Sequence, residues 1–114
     1  MNIEDFSNFC LSLKGVTESF PFDQNTLVFK VFGKIFALCN VENFDGINLK
    51  CDPEKAIDLR ERYEGINPGY HMNKTHWNTV SINSDVNDTL IFELIKHSYN
   101  LVFDSLPKKI REGK

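Results

Sequence analysis

Gly69-Tyr70-His71-Met72-Asn73-Lys74-Thr75-His76-Trp77-Asn78-Thr79-Val80-Ser81-Ile82 changes character half-way along. Residues 71–78 hold two histidines, a lysine, two asparagines and the chain's one tryptophan, a density of polar and aromatic groups that core packing does not demand. From Trp77 onward the pattern alternates, with Trp77, Thr79 and Ser81 on one face and Asn78, Val80 and Ile82 on the other. A period of two with β-branched enrichment predicts a strand with one buried face. The polar groups therefore stand in a loop immediately before a strand that holds them in place.

Upstream of that stretch the β signal repeats. Thr26-Leu27-Val28-Phe29-Lys30-Val31 and Lys34-Ile35-Phe36-Ala37-Leu38 flank Phe32-Gly33, the pattern of a tight hairpin with glycine in the turn. A further strand is expected at residues 47–51 after the turn signal Asn43-Phe44-Asp45-Gly46, and a short one at residues 17–20, before the turn Pro21-Phe22-Asp23-Gln24. Asn2 fits the cap of a first helix in which Ile3, Phe6, Cys10 and Leu13 recur at helical spacing, with Gly15 closing it. Asp52-Pro53 opens a second helix with Ala56, Leu59 and Tyr63 inward and Gly65 at its end; Pro68-Gly69 then reads as a loop. From Asp88, the spacing of Leu90, Ile91, Leu94, Ile95, Leu101 and Val102 predicts a long amphipathic helix stopped by Pro107, with Glu93, Lys96, His97, Asn100 and Asp104 on its wetter side. Lys108, Lys109 and Arg111 follow as a basic tail. Helices bracketing a run of strands predict an α+β fold, an antiparallel sheet with helices packed on one face, in the approximate order α-β-β-β-β-α-β-α.

At 114 residues with a 12% aromatic share the chain suits one domain, spanning 1–114, with a core large enough to fold without staples. Cys10, Cys39 and Cys51 are odd in number and far apart, which predicts reduced thiols rather than a disulfide framework or a zinc site. Met1-Asn2-Ile3-Glu4-Asp5 carries acids where a signal peptide carries positive charge, and no apolar run approaches membrane-spanning length, so a cytoplasmic protein without a membrane partner is expected. Thirteen Lys and Arg against sixteen Asp and Glu give a net charge of −3, the wrong sign for gripping nucleic acid over the whole surface. Any anion site is therefore local. Residues 24–41, with Lys30 and Lys34, and 65–84, with His71, Lys74 and His76, contain no acid.

Four separated segments carry a family resemblance: Gly15 with Glu18 and Pro21-Phe22; Leu27-Val28-Phe29-Lys30-Val31 with Gly33-Lys34; His71-Met72-Asn73-Lys74 with His76-Trp77-Asn78-Thr79-Val80; and Ser98-Tyr99. In these the chain resembles the MmcQ/YjbR family of small bacterial proteins over nearly its whole length. The resemblance implies a YjbR-like domain with a CyaY/frataxin-like fold and a DNA-binding role through a "double wing" of hairpins. Iron handling does not follow from likeness to frataxin, since an acidic ridge is wanted and the first helix offers only Glu4 and Asp5.

The residues themselves point away from catalysis: there is no G-x-S-x-G, no Gly-rich phosphate loop and no H-E-x-x-H, so neither enzymatic activity nor a cofactor is expected. His71-x4-His76 has no cysteine or carboxylate nearby in sequence to complete a metal set, and no metal is expected. Trp77 is expected to be mostly covered, with its indole N–H paired. Lys74, beside His71, Asn73 and His76, reads either as a phosphate contact or as an ordinary solvated lysine. The candidate nucleic-acid or anion site is thus Lys74, His71, Asn73 and His76, with Lys30 and Lys34 from the hairpin. The alternative is a binding module for a small anionic ligand or a protein partner, which requires a pocket rather than a continuous basic face.

Overall fold

A computed structural model of the chain describes residues 1–70 and 72–112. Helix α1 (Ile3–Leu11) precedes strands β1 (Val16–Ser19), β2 (Thr26–Val31), β3 (Lys34–Asn40) and β4 (Gly46–Lys50). Helix α2 (Pro53–Arg62) is followed by β5 (Ile66–Pro68), β6 (Trp77–Ser81), α3 (Asp88–Ser105) and α4 (Lys108–Glu112). The strands form one antiparallel sheet in the order β1-β2-β3-β4-β6-β5. The α+β class and the helix-on-sheet arrangement follow the expectation.

Two elements go beyond it. Pro68 does not end the sheet's reach: Ile66–Pro68 pairs with β6 as an edge strand, Pro68 opposite Asn78, a position where a missing backbone donor is tolerated. Pro107, which stops α3, also starts α4, because its carbonyl accepts from the amides of Ile110 and Arg111. The basic tail is thus a short helix.

Local sequence accounts for most boundaries. Asn2 Oδ1 accepts from the Asp5 amide at 2.7 Å, Asp52 Oδ2 from that of Lys55 at 3.2 Å and Asn87 Oδ1 from that of Leu90 at 2.9 Å, so each long helix begins on a side-chain cap. The β2–β3 turn places Phe32 at φ 47° and Gly33 at φ 89°, the pair of positive φ values that matches strand twist in a two-residue hairpin. Phenylalanine is unusual there, but its ring packs tilted against Phe103 at a centroid distance of 6.2 Å and lies over Gly15, where any Cβ would sit 2.5 Å from it.

The core lies between the sheet and the helices. Phe6 and Cys10 of α1, Ala56 and Leu59 of α2, and Ile91, Leu94, Ile95, Tyr99 and Val102 of α3 meet Leu27, Phe29, Val31, Phe36, Ala37, Ile47, Leu49 and Val80 of the sheet. Where Phe36 bulges from β3, between Lys30↔Ile35 and Phe29↔Ala37, the β3–β4 ladder is interrupted. The fully buried Ser98 of α3 fills the gap, its hydroxyl donating to the Phe36 carbonyl at 2.5 Å and accepting from the Lys50 amide at 2.9 Å. Next to it Tyr99 donates to the Lys14 carbonyl at 2.6 Å, tying α3 to the segment that follows α1. His97, expected on the wetter side of α3, is half-buried and accepts from the Asp52 amide at 3.2 Å. All three cysteines are free and buried; burial pushes Cys39 up to about 12 and Cys51 up to about 11, and Cys10 higher still, so the thiols stay protonated. No helix among the described residues is long and apolar enough to cross a membrane.

Candidate functional site

Strand register sorts the sheet into two faces. The side opposite the helices carries Thr17 and Ser19, then Thr26, Val28 and Lys30, then Ile35, Leu38 and Asn40, then Gly46, Asn48 and Lys50, then Trp77, Thr79 and Ser81, and finally Asn67. That face bears no carboxylate from any strand. The one acid within the strands, Glu18, lies on the helix side, where its Oε1 accepts from Ser7 of α1 at 3.3 Å. Glu4, Asp5, Glu54, Asp58, Glu61, Asp88, Glu93, Asp104 and Glu112 all stand on helices. Charge is therefore segregated between the two layers, and the two acid-free windows of the sequence meet on the open face. Lys30 and Lys50 both project there, on strands separated only by β3 and so about 10 Å apart.

Two loops flank this face. One runs through residues 20–25, with Phe20 49% and Phe22 66% exposed. The other is the stretch before β6, where Tyr70 is 68% exposed. The second loop is fastened across the open face: the Tyr70 amide donates to Thr79 Oγ1 at 3.0 Å, and the Thr79 hydroxyl donates to Asn48 Oδ1 at 2.5 Å. Val28 and Leu38 face outward yet are buried, because the loops fold over the middle of the sheet. Between the loops lies a cleft of two adjoining chambers, about 400 and 370 Å3, that share Cys39, Asn40, Asn48 and Tyr70. Phe22, Asp23 and Met72 line the first and Asn43, Asp45 and Thr79 the second.

Most polar groups of residues 73–79 are spent on the loop itself. Asn73 Oδ1 accepts from the amides of Thr75 at 2.9 Å and His76 at 3.2 Å, an Asx turn that makes it a structural residue. Lys74 is exposed, but its ammonium donates to the Gly69 carbonyl at 3.0 Å and closes the base of the loop. The sequence offered phosphate contact or simple solvation for Lys74; the structure adds a third role. Arg60 of α2 clamps the loop from the helix side, Nε donating to the buried Asn78 Oδ1 at 2.7 Å and Nη2 to the carbonyls of Lys74 and of Trp77, the latter at 3.2 Å. Arg60 escaped the sequence reading, since nothing in a lone helical arginine marks which loop it holds, whereas Asn78 is buried on the face where the alternation put it.

His76 is exposed, and its carbonyl extends the ladder by accepting from the Cys51 amide at 2.7 Å. His71 lies outside the described residues. Lys34 is exposed beside the β2–β3 turn. Trp77 is half-buried. The structure thus brings Lys30 to the open face with Lys50, which the sequence reading did not select, and assigns Asn73 and the Lys74 ammonium to loop closure. Period-two register from Trp77 back through β4 would have found Lys50. Among the described residues no group of three or more His, Cys, Asp or Glu side chains is arranged to hold a metal ion.

Comparison with known proteins places this architecture. The YjbR family model matches residues 11–101. The chain belongs to the YjbR family. It is 40% identical over 107 residues to the uncharacterised protein YbdF of Escherichia coli O157:H7, a match covering 93% of this chain and 88% of that protein. To the uncharacterised protein YjbR of Escherichia coli K12 it is 32% identical over 113 residues, covering 98% and 96%. A crystal structure of a DUF419 domain from Deinococcus radiodurans superposes with a TM-score of 0.91 at 38% identity, covering 98% of this chain and 86% of that one. A Pseudomonas syringae protein gives 0.75 at 29% identity, over 90% and 99%. The YjbR-family sheet, with its open face and crossing loop, is the scaffold on which a function has to be argued.

Proposed function

We propose that this YjbR-family chain is a non-enzymatic DNA-binding protein that lays a phosphate backbone across the open face of its sheet. The observation that carries the reading is charge segregation: the outward strand positions hold Lys30 and Lys50 and no carboxylate, while the acids of the helices face away. A protein of net charge −3 is repelled by DNA as a whole, but exposed charges more than a Debye length from the contact, about 8 Å at physiological salt, are largely screened. Local sign then decides. Lys34 pairs opposite the buried Val31 and so lies on the helix side of the sheet, outside this basic surface.

Fluorescence anisotropy with a labelled oligonucleotide at several salt concentrations tests this. Lys30→Ala and Lys50→Ala should each reduce the slope of log K against log salt by roughly one unit. Lys55→Ala on the acid-rich α2 is the internal control and should leave the slope unchanged. Lys74→Ala should loosen the loop and lower stability more than it alters the slope. Absence of binding at low salt, or an equal effect of Lys55→Ala and Lys50→Ala, overturns the reading. The concave cleft keeps a second reading in view, a module for a small ligand, which that result would promote.

A further inference from the structure

The cleft between the two loops is chemically unlike the basic surface beside it. Asp23 and Asp45 line it, and the Asp23 carboxyl is held below its ordinary value by hydrogen bonds from the amides of Asn25 and Thr26, at 2.8 and 2.7 Å, and from the Thr26 hydroxyl. A phosphate is thus poorly suited to this volume. Its floor presents Leu38, Asn40 and Asn48. Asn40 Oδ1 accepts from the amides of Glu42 and Asn43, and Asn48 Oδ1 accepts from Thr79, so each side chain has its NH2 group left as donor. Its rims are Phe22 and Tyr70, two rings more than three-fifths exposed. Aromatic rims, an apolar floor patch, amide donors and carboxylate acceptors together complement a flat heterocycle that has both acceptor and donor groups on its edge. The chamber volumes suit a small organic group.

We infer that the cleft receives an unpaired nucleobase, stacked against Phe22 and Tyr70 and hydrogen-bonded on its edge by Asn40 and Asn48. The inference rests on the proposed nucleic-acid reading and sharpens it: the preferred ligand is a single strand, with its backbone on the Lys30 and Lys50 side and one base turned into the cleft. A base locked in a duplex offers neither its face nor its pairing edge. Base–aromatic stacking tolerates every base, so the preference is for strandedness more than for sequence.

The experiment compares three labelled ligands of equal length: a single strand, its duplex and an abasic single strand, the two single strands also matching in charge. The single strand should bind most tightly and the abasic strand markedly less. Phe22→Ala and Tyr70→Ala should each weaken binding of the base-bearing strand by roughly 5- to 100-fold with no change in salt slope. Tyr70→Phe should restore it. Both rings are exposed, and unchanged thermal melts of the variants confirm that the fold survives. If the abasic strand binds as tightly as the single strand and the ring variants are neutral, the base cleft is overturned while the phosphate reading stands. If no strand binds, the phosphate reading falls, and titration of free nucleosides followed by amide NMR shifts decides the cleft alone: shifts at Leu38, Asn48 and Thr79 support it, and unmoved spectra overturn it.

Discussion

Replacing Ser98 by alanine removes one oxygen and leaves two buried backbone groups without partners. The hydroxyl donates to the Phe36 carbonyl and accepts from the Lys50 amide, and the residue is 0% exposed, so water has no path to replace it. An orphaned buried backbone group costs about 1–3 kcal/mol, so two cost about 2–6 kcal/mol if nothing moves. Some relaxation is available, because the Lys50 amide and the Phe36 carbonyl belong to neighbouring strands and can approach one another if the bulge tightens. The expected loss is therefore about 2–4 kcal/mol. Ser105→Ala is the matched control: that hydroxyl also bonds a backbone carbonyl, at 2.6 Å to Val102, but on an exposed residue, and its loss should stay within about 0.5 kcal/mol. Urea unfolding at constant m reads both. A Ser98→Ala loss no larger than that of Ser105→Ala would show that the hydroxyl is no bridge, and the account of the interrupted ladder would fail.

Arg60→Met should destabilise by about 2–3 kcal/mol in the same assay, since it strands the buried Asn78 carbonyl oxygen, and Arg60→Lys should recover little because an ammonium lacks the fork that reaches three acceptors. Leu94→Ala, at a site 4% exposed in the middle of α3, should cost about 2–5 kcal/mol; no change in the urea midpoint would put that side chain on the surface. For His97, burial first and Lys55 second lower the pKa below the ordinary 6.5, with Asp52 opposing. The unfolded chain therefore takes up the proton first, so the contribution is fully present above about pH 6.5 and is lost as pH falls from there through the lowered folded value. His97→Gln, which keeps an acceptor but does not titrate, should flatten thermal stability between pH 7 and pH 5 relative to the parent; superimposable pH profiles would refute the role.

Periodicity carried the fold a long way, because burial imposes it directly. The alternation from Trp77 to Ile82 and the apolar stripe of α3 both survive in the structure as buried Asn78, Val80 and Ile82 and buried Ile91, Leu94 and Ile95. What escaped were features that depend on partners distant in sequence. Pro68 in an edge strand is legible only once β6 is beside it, and Ser98 and Arg60 are ordinary helical residues until the bulge and the loop they serve are in place. The polar residues 71–78 drew attention for the right density and partly for the wrong reason. Asn73, the Lys74 ammonium and Asn78 build the loop, and what the loop builds is one wall of a cleft.

That distinction bears on how net charge is used. A total of −3 averages two layers of opposite character, and averaging erased the one property that sequence windows preserved. Residues 24–41 cover β2 and β3, and residues 65–84 cover β5 and β6, so the acid-free windows supply four of the six strands, with β4 and Lys50 between them and only β1, with its inward Glu18, outside. Nine of the sixteen acids went to α2 and the other helices, where solvent screens them. Freedom from acid matters more than abundance of lysine on such a face: two cations held on neighbouring-but-one strands, with no carboxylate to pair with them, stay available to an incoming anion, whereas a richer mixed surface would neutralise itself. Two of the carboxylates near the open face, Asp23 and Asp45, line the cleft, and it is their position there that separates the place for a base from the place for a phosphate.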